Sequence, residues 1–288
     1  MTSKWTILAA AAVLLTACTA APANSPQPEP TAAPQPAATA ASVPQEPKTE
    51  TKPAEASPPP VLEPKPQATE PPKEAEKTYM LNPKTYDIVP IDPAKTEKKV
   101  VLLTFDDGPK DLEMNTGLLD TLDKHHAKAI FFLNGYRIKQ KPELVKLIAS
   151  RGQTIGNHSW DHNDLKKESK ENLEHQIGDV QRAIKDLTGK APSFFRPPFG
   201  SGSDDVRAKA KDEKLLYMTW SNGSLDWEMT VKNNNPDKVI SNVFEQLRPG
   251  SNILMHELPW TVQTLDNLLT RLEEKGYGFV DPNTIEVP

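Results

Sequence analysis

Asp106 and Asp107 are adjacent carboxylates within Thr104-Phe105-Asp106-Asp107-Gly108-Pro109. The apolar run Val100-Val101-Leu102-Leu103 before them reads as a buried strand. Gly108 and Pro109 end it. The pair therefore stands at a strand end, where an α/β fold gathers its chemistry. Neighbouring strand residues point to opposite faces, so the two side chains are expected to diverge. One carboxylate can then hold a metal while the other moves a proton. The same residues also suit an ordinary turn. His158 and His162 stand four apart. On a helical turn they share one face, a spacing suited to one metal ion. With Asp107 the set is His-His-carboxylate with open positions, the construction of catalytic metal sites. A structural zinc site built on several cysteines is excluded, because Cys18 is the only cysteine.

Arg196-Pro197-Pro198-Phe199-Gly200 reads as a rigid turn. It suits a surface loop. It also suits an arginine that holds a carboxylate and a backbone N–H that stabilises an oxyanion. Asp226 stands beside Trp227, and His256 follows the apolar Ile253-Leu254-Met255. A lone His at a strand end is usually structural; paired with a buried carboxylate it becomes a general acid. His125, His126 and His175 fall on expected helices without such company and read as solvent-facing.

Strands are expected at 100–105, 129–133, 154–157, 215–220, 253–255 and 277–280, with Phe194-Phe195 leading into the Pro-rich turn. Helices are expected at 114–126, 142–150, 169–187, 204–214, 237–246 and 262–275. Strand and helix alternate about seven times, which argues for a parallel α/β sheet, open or closed into a barrel. Residues 98–282 are enough for one sizeable core. Residues 79–97 are a lead-in segment, with a docked strand as one reading.

The remaining third differs. Residues 19–78 hold 16 of the 29 prolines and almost no aromatic or branched apolar side chains. Such a segment cannot bury enough surface to offset its ordering entropy, so it reads as a disordered, PPII-rich linker. At 1–18, Lys4 precedes an apolar run too short to span a bilayer comfortably. Leu15-Thr16-Ala17-Cys18 then resembles the lipobox of bacterial lipoproteins, with Cys18 the lipidated residue. Cleavage slightly downstream and an uncleaved anchor are the alternatives. The net charge of −5 gives no support to a nucleic-acid partner.

Taken together, the five segments at 104–109, 158–162, 196–200, 226–227 and 254–256 resemble the polysaccharide deacetylase family, the NodB-homology domain of carbohydrate esterase family 4. The resemblance covers about 98–282. It implies a distorted (β/α) barrel, a divalent metal (most often Zn2+, with Co2+, Ni2+ or Mn2+ as variants), and removal of acetyl from N-acetylated sugars. It implies Asp106 as base, Arg196 orienting it, and Asp107, His158 and His162 as metal ligands. It implies His256 as acid, tuned by Asp226. Phe199 would give its backbone N–H, and Trp227 and Leu254 would wall an acetyl pocket. Two departures stand out. Many relatives carry Tyr at the place of Phe199, and Asp at the place of Gly223.

These expectations describe an enzyme facing the cell wall, lipid-anchored outside the membrane, with peptidoglycan as first substrate and no obligate protein partner. Chitin oligomers, exopolysaccharide or acetylxylan are alternative substrates. A non-catalytic wall-binding lipoprotein of the same fold is the alternative from another class.

Overall fold

The computed structural model describes residues 75–288. Cys18, the signal segment and nearly all of the expected linker lie outside the described residues. No helix among the described residues is long and apolar enough to cross a membrane.

Ten strands form two sheets. The first is a hairpin of β1 (Tyr79–Leu81) and β2 (Ile88–Pro90). It resolves the lead-in segment as a docked element, since Tyr79 and Ile88 are buried in an apolar cluster with Val100 and Ile285. Gly250, at φ 85°, is needed beside it: a Cβ there would stand 2.2 Å from the Ile88 carbonyl oxygen.

The second sheet contains β3 (Val100–Gly108), β4 (Ala129–Leu133), β5 (Thr154–Asn157), β6 (Phe194–Phe195), β7 (Leu216–Tyr217), β8 (Asn222–Gly223), β9 (Ser251–His256) and β10 (Gly278–Phe279). Every pairing is parallel, in the order β7-β6-β5-β4-β3-β9-β8, with β10 against the first residues of β3. The two edge strands, β7 and β8, are consecutive in the chain. Only residues 218–221 join them, a reach of roughly 15 Å at full extension. A flat sheet of seven strands spaced about 4.8 Å apart would hold its edges near 30 Å apart. The sheet must therefore curl toward closure, and it does so as the expected distorted (β/α) barrel.

Helices cover the outside. They are α1 (Leu112–Lys124), α2 (Gly135–Gln140), α3 (Pro142–Ser150), α4 (Lys170–Leu173), α5 (Asp179–Thr188), α6 (Asp204–Asp212), α7 (Pro236–Glu245) and α8 (Pro259–Glu274). The helix expected over 169–187 is interrupted by a π-helical turn at Glu174–Gly178. Along β3 the alternation is strict. Val101, Leu103 and Phe105 join Leu118, Leu122, Leu265 and Leu269 of the covering helices, while Val100 and Leu102 join Phe132 and Met218 inside the barrel. The next inward residues are Thr104 and Asp106, both buried. The interior thus changes from apolar at the N-terminal ends of the strands to polar at their C-terminal ends.

Candidate active site

The C-terminal strand ends bring the expected residues together. Asp106 and Asp107 come from β3, His158 and His162 from the loop after β5, and Arg196 from the turn after β6. Asp226 follows β8 and His256 ends β9.

Asp106 and Asp107 do not diverge, contrary to the strand-alternation expectation. Asp107 has φ 65°, in the left-handed region, and the β3–β4 register shifts between Phe105 and Gly108. The break swings Asp107 to the same side as Asp106. His158 Nε2 then lies 3.7 Å from Asp106 Oδ2 and 3.4 Å from Asp107 Oδ1. His162 Nε2 lies 3.1 Å from the same Asp107 oxygen.

The His158–His162 stretch is not a helical turn either. Ser159 (φ 67°) and His162 (φ 59°) are both left-handed. The Asn157 side chain accepts from the Ser159 N–H, and the Ser159 hydroxyl accepts from the His162 N–H. Gln176, on the π-helical turn, exchanges two hydrogen bonds with Asp161 and pins the outside of the loop. The two rings meet through a braced irregular loop, with centroids 5.1 Å apart.

Asp107, His158 and His162 offer one donor atom each, all within 4.8 Å of one another. His158 Nδ1 lies 2.7 Å from the Arg196 carbonyl oxygen. It donates there, which leaves Nε2 as a bare lone pair, the state a metal ligand needs. Burial works to raise the Asp107 pKa, but the two close imidazoles of His158 and His162 outweigh it and hold the carboxyl well below its usual range. Asp107 Oδ1 is buried and lacks a well-formed hydrogen bond among the described residues. An anionic oxygen facing two imidazole nitrogens fits a divalent cation well.

Arg196 is wholly buried, over the Phe132 ring at 4.4 Å. Its Nη1 donates to Asp106 Oδ1 at 2.7 Å and to Thr104 Oγ1 at 2.8 Å. Its Nη2 donates to the Thr219 carbonyl and to Asn252 Oδ1. Burial pushes its pKa down while Asp106 opposes the shift; a guanidinium starts so high that it stays charged. Asp106 Oδ1 is thus occupied, and Oδ2 is the oxygen turned toward His158.

Asp226 is fully buried and is shared by several donors. Its Oδ1 takes His256 Nδ1 at 2.8 Å, and its Oδ2 takes the His256 backbone N–H and the Thr261 hydroxyl, both at 2.7 Å. Burial opposes a charged imidazole, yet Asp226, aided by Asp106 and Asp107, raises the His256 pKa above its ordinary value. With Nδ1 committed to Asp226, Nε2 is left as the exchangeable position. Trp227 lies edge-on to the His256 ring at 5.5 Å and to Trp220 at 6.2 Å. Leu254 is buried on β9, paired with Thr104 and Gly223. Phe199 sits at φ 59° with an exposed ring whose centroid is 4.8 Å from that of His162.

Gly223 carries no carboxylate, and its space is already committed: a Cβ there would meet the Trp227 ring at 3.0 Å. Among the other histidines, His125 is not solvent-facing. Its side chain is 6 % exposed and lies between Asp266 and Glu273.

Sequence reasoning missed the supporting residues Thr104, Asn252, Thr261 and Glu257. Thr104 and Asn252 carry a signal, as polar residues inside apolar strands. Glu257 is fully buried beside His256. Its Oε2 takes the Lys110 N–H at 2.7 Å and Asn115 Nδ2 at 2.9 Å. It ties the end of β9 to the turn after Asp107. A Cβ on Gly108 would lie 2.0 Å from Glu257 Oε1, so this position needs glycine.

A family model described as polysaccharide deacetylase matches residues 94–218. The peptidoglycan-N-acetylglucosamine deacetylase PgdA of Listeria monocytogenes is 38 % identical over 199 residues, covering 69 % of this chain and 41 % of that protein. The chain thus spans about two-fifths of that relative's length. The peptidoglycan-N-acetylmuramic acid deacetylase PdaA of Bacillus subtilis is 32 % identical over 190 residues, covering 64 % of this chain and 70 % of that one. Among solved structures, a carbohydrate esterase family 4 pseudoenzyme from Bacillus anthracis matches with TM-score 0.61 and 31 % identity, over 66 % of this chain and 68 % of that one. The curled parallel barrel, the donor cluster at its C-terminal rim and these matches agree: the chain belongs to the polysaccharide deacetylase family, the NodB-homology domains of carbohydrate esterase family 4.

Proposed function

We propose that this protein hydrolyses N-acetyl groups from amino sugars of a cell-wall polysaccharide, with peptidoglycan as its substrate. The observation that carries the reading is the sorting of two carboxylates around one rim. Arg196 locks Asp106 as a free-standing base, while Asp226 is buried against His256.

In this reading Asp106 Oδ2 removes a proton from the attacking water, and Arg196 keeps Oδ1 fixed so that Oδ2 alone faces the substrate. Asp107 Oδ1, His158 Nε2 and His162 Nε2 hold a divalent cation, Zn2+ in our proposal. Such a cation supplies positive charge that lowers the pKa of a water and offsets negative charge on an acyl oxygen. The Phe199 backbone N–H faces that same oxygen. His256, charged because Asp226 stabilises the imidazolium, gives its Nε2 proton to the departing nitrogen. Water adds its hydroxyl to the acyl carbon, the C–N bond breaks, and acetate and a free amine leave. Trp227 and Leu254 border the acetyl methyl.

We further propose that Cys18 carries a lipid anchor, that residues 19–78 form the tether, and that 98–282 is the catalytic domain facing the wall outside the membrane. A non-catalytic wall-binding role is the competing reading, since one structure of the same fold is described as a pseudoenzyme. Against it stands the complete acid, base and ligand set of this chain. Acetate release from peptidoglycan, chitin oligomers and acetylxylan, each with and without added Zn2+, is the test. Metal-dependent release that is fastest on peptidoglycan is expected. No release from any of them would favour the binding role, and preference for another polymer would replace the substrate.

A further inference from the structure

Beside the ligand cluster, the rim carries three cations that the proposed mechanism does not use. Lys110 follows the turn after Asp107, Arg137 lies within α2, and Lys141 caps its C-terminus. The cap has non-helical backbone, and the Lys141 N–H donates to the Arg137 carbonyl oxygen. Lys141 Nζ donates to the Lys110 carbonyl oxygen, which holds its ammonium against the Lys110 backbone. All three are only partly exposed. None forms an ion pair within 4.0 Å among the described residues. Arg137 Nε is buried without a hydrogen-bond partner among the described residues, and its guanidinium lies 5.0 Å from the Tyr136 ring centre.

Half-buried cations without a direct ion pair are costly, and three together are more so. The one carboxylate that touches this cluster is Glu257, through the Lys110 N–H. Asp111 is committed as the N-cap of α1, accepting from the Met114 N–H. Burial presses the Lys110 pKa down, and Asp107 and Glu257 pull it up, which places its ammonium in the field of the ligand cluster. The three charges therefore stand at the C-terminal ends of β3 and β4, on the same rim as Asp106 and Asp107.

We infer that Lys110, Arg137 and Lys141 form an anion-binding shelf that takes a carboxylate of the substrate chain. The fitting substrate is an acetylated amino-sugar polymer that bears carboxylates, rather than a neutral one. In peptidoglycan that carboxylate comes from the lactyl ether of the muramic sugar or from the peptide attached to it. The inference rests on the deacetylase reading for its place beside the reacting group. It does not need turnover in order to be measured.

The experiment compares three oligosaccharides of equal length on wild type, Lys110→Gln, Arg137→Gln and Arg137→Lys. One is neutral N-acetylglucosamine, one carries free lactyl carboxylates, and one carries lactyl groups with stem peptides. Kd is read by calorimetry and acetate release on the same samples. Wild type should bind the carboxylate-bearing ligands more tightly, with the preference shrinking as salt rises. Each Gln variant should cut that preference about 10-fold, the scale of one charge-assisted hydrogen bond. Arg137→Lys, which keeps the charge, should recover part of it. Loss confined to the free lactyl ligand or to the peptide-bearing ligand identifies the source of the carboxylate. Equal affinity of wild type for neutral and anionic ligands, or an unchanged preference in both Gln variants, would overturn the shelf. Intact preference with no acetate released would instead overturn the deacetylase reading and leave the shelf standing.

Discussion

Arg196 Nη1 stands 2.7 Å from Asp106 Oδ1, inside the barrel and out of reach of solvent. The pair fixes which carboxylate oxygen is held and which is free. It also closes the barrel interior, since the same guanidinium reaches Thr219 in the link between the edge strands.

Removing the guanidinium leaves a buried carboxylate without its partner. Arg196→Ala should therefore destabilise the fold by about 3–5 kcal/mol, the range for breaking a buried ion pair from one side. Equilibrium urea unfolding of both proteins reads this. A loss below about 1 kcal/mol, the scale of an exposed ion pair, would mean that the interior rearranges to rehydrate Asp106.

Asp226 raises the His256 pKa, so Asp226→Asn should lower it. A proton donor with a lower pKa is deprotonated sooner as pH rises. The basic limb of the kcat/KM profile should therefore move to lower pH. The stability effect has the same origin. A raised histidine pKa stabilises the fold below its unfolded value and loses that contribution as pH climbs through the folded value. An unmoved basic limb would leave Asp226 with a packing role only.

Glu257 is shifted in the same direction, by burial rather than by a charged partner. Burial lifts its pKa to about 7, against the pull of Lys110 and Asn115. The folded state thus holds a proton that the unfolded chain releases near its ordinary value of 4.5. Stability should fall as pH rises from about 5 to about 8. Glu257→Gln keeps an acceptor for the Lys110 N–H and removes the ionisation, so this slope should flatten. Unfolding free energies at pH 5 and pH 8 test it; parallel curves for the two proteins would contradict the assignment.

The anchor and linker can be tested together. Cys18→Ala should release the protein from membranes without changing its activity, because stable anchoring needs lipid. A chain beginning at Glu76 should unfold at nearly the same temperature as the full chain. That start keeps Lys77, whose Nζ donates to the Asn283 carbonyl, and Thr78, whose N–H donates to the Thr284 carbonyl. Wild type found free in the medium would argue against lipidation, and a drop of many degrees would argue against an independent domain.

Much of this was legible in the residues because hydrophobic period and local turn chemistry dominate there. Strands β4 and β5 and helix α3 appear at their expected bounds. The two-residue strands β7 and β10 fall within the strands expected at 215–220 and 277–280, but β8 was not legible: it is Asn222-Gly223, a pair with no apolar signature, held by Gln246 through the Gly223 N–H and carbonyl. At the site, residue identity was readable but direction was not. The expected divergence of Asp106 and Asp107 assumed regular strand, and the left-handed Asp107 cancels it. The histidine spacing suggested a helical turn, and Ser159, Asn157 and Gln176 build a loop instead. His125 looked unaccompanied because its partners, Asp266 and Glu273, are more than a hundred residues away.

The division of labour between the paired carboxylates is the centre of the account, and two variants test it. Asp107→Ala removes one of the three proposed metal ligands, so bound metal and acetate release should both fall. Asp106→Asn leaves Asp107, His158 and His162 in place and removes only the base. Metal content should stay near wild type while acetate release drops about 10²–10⁴-fold, the usual contribution of a general base. Elemental analysis beside acetate release, on the same preparations, reads both quantities. Loss of metal from Asp106→Asn as complete as from Asp107→Ala, or an active Asp106→Asn, would contradict the account.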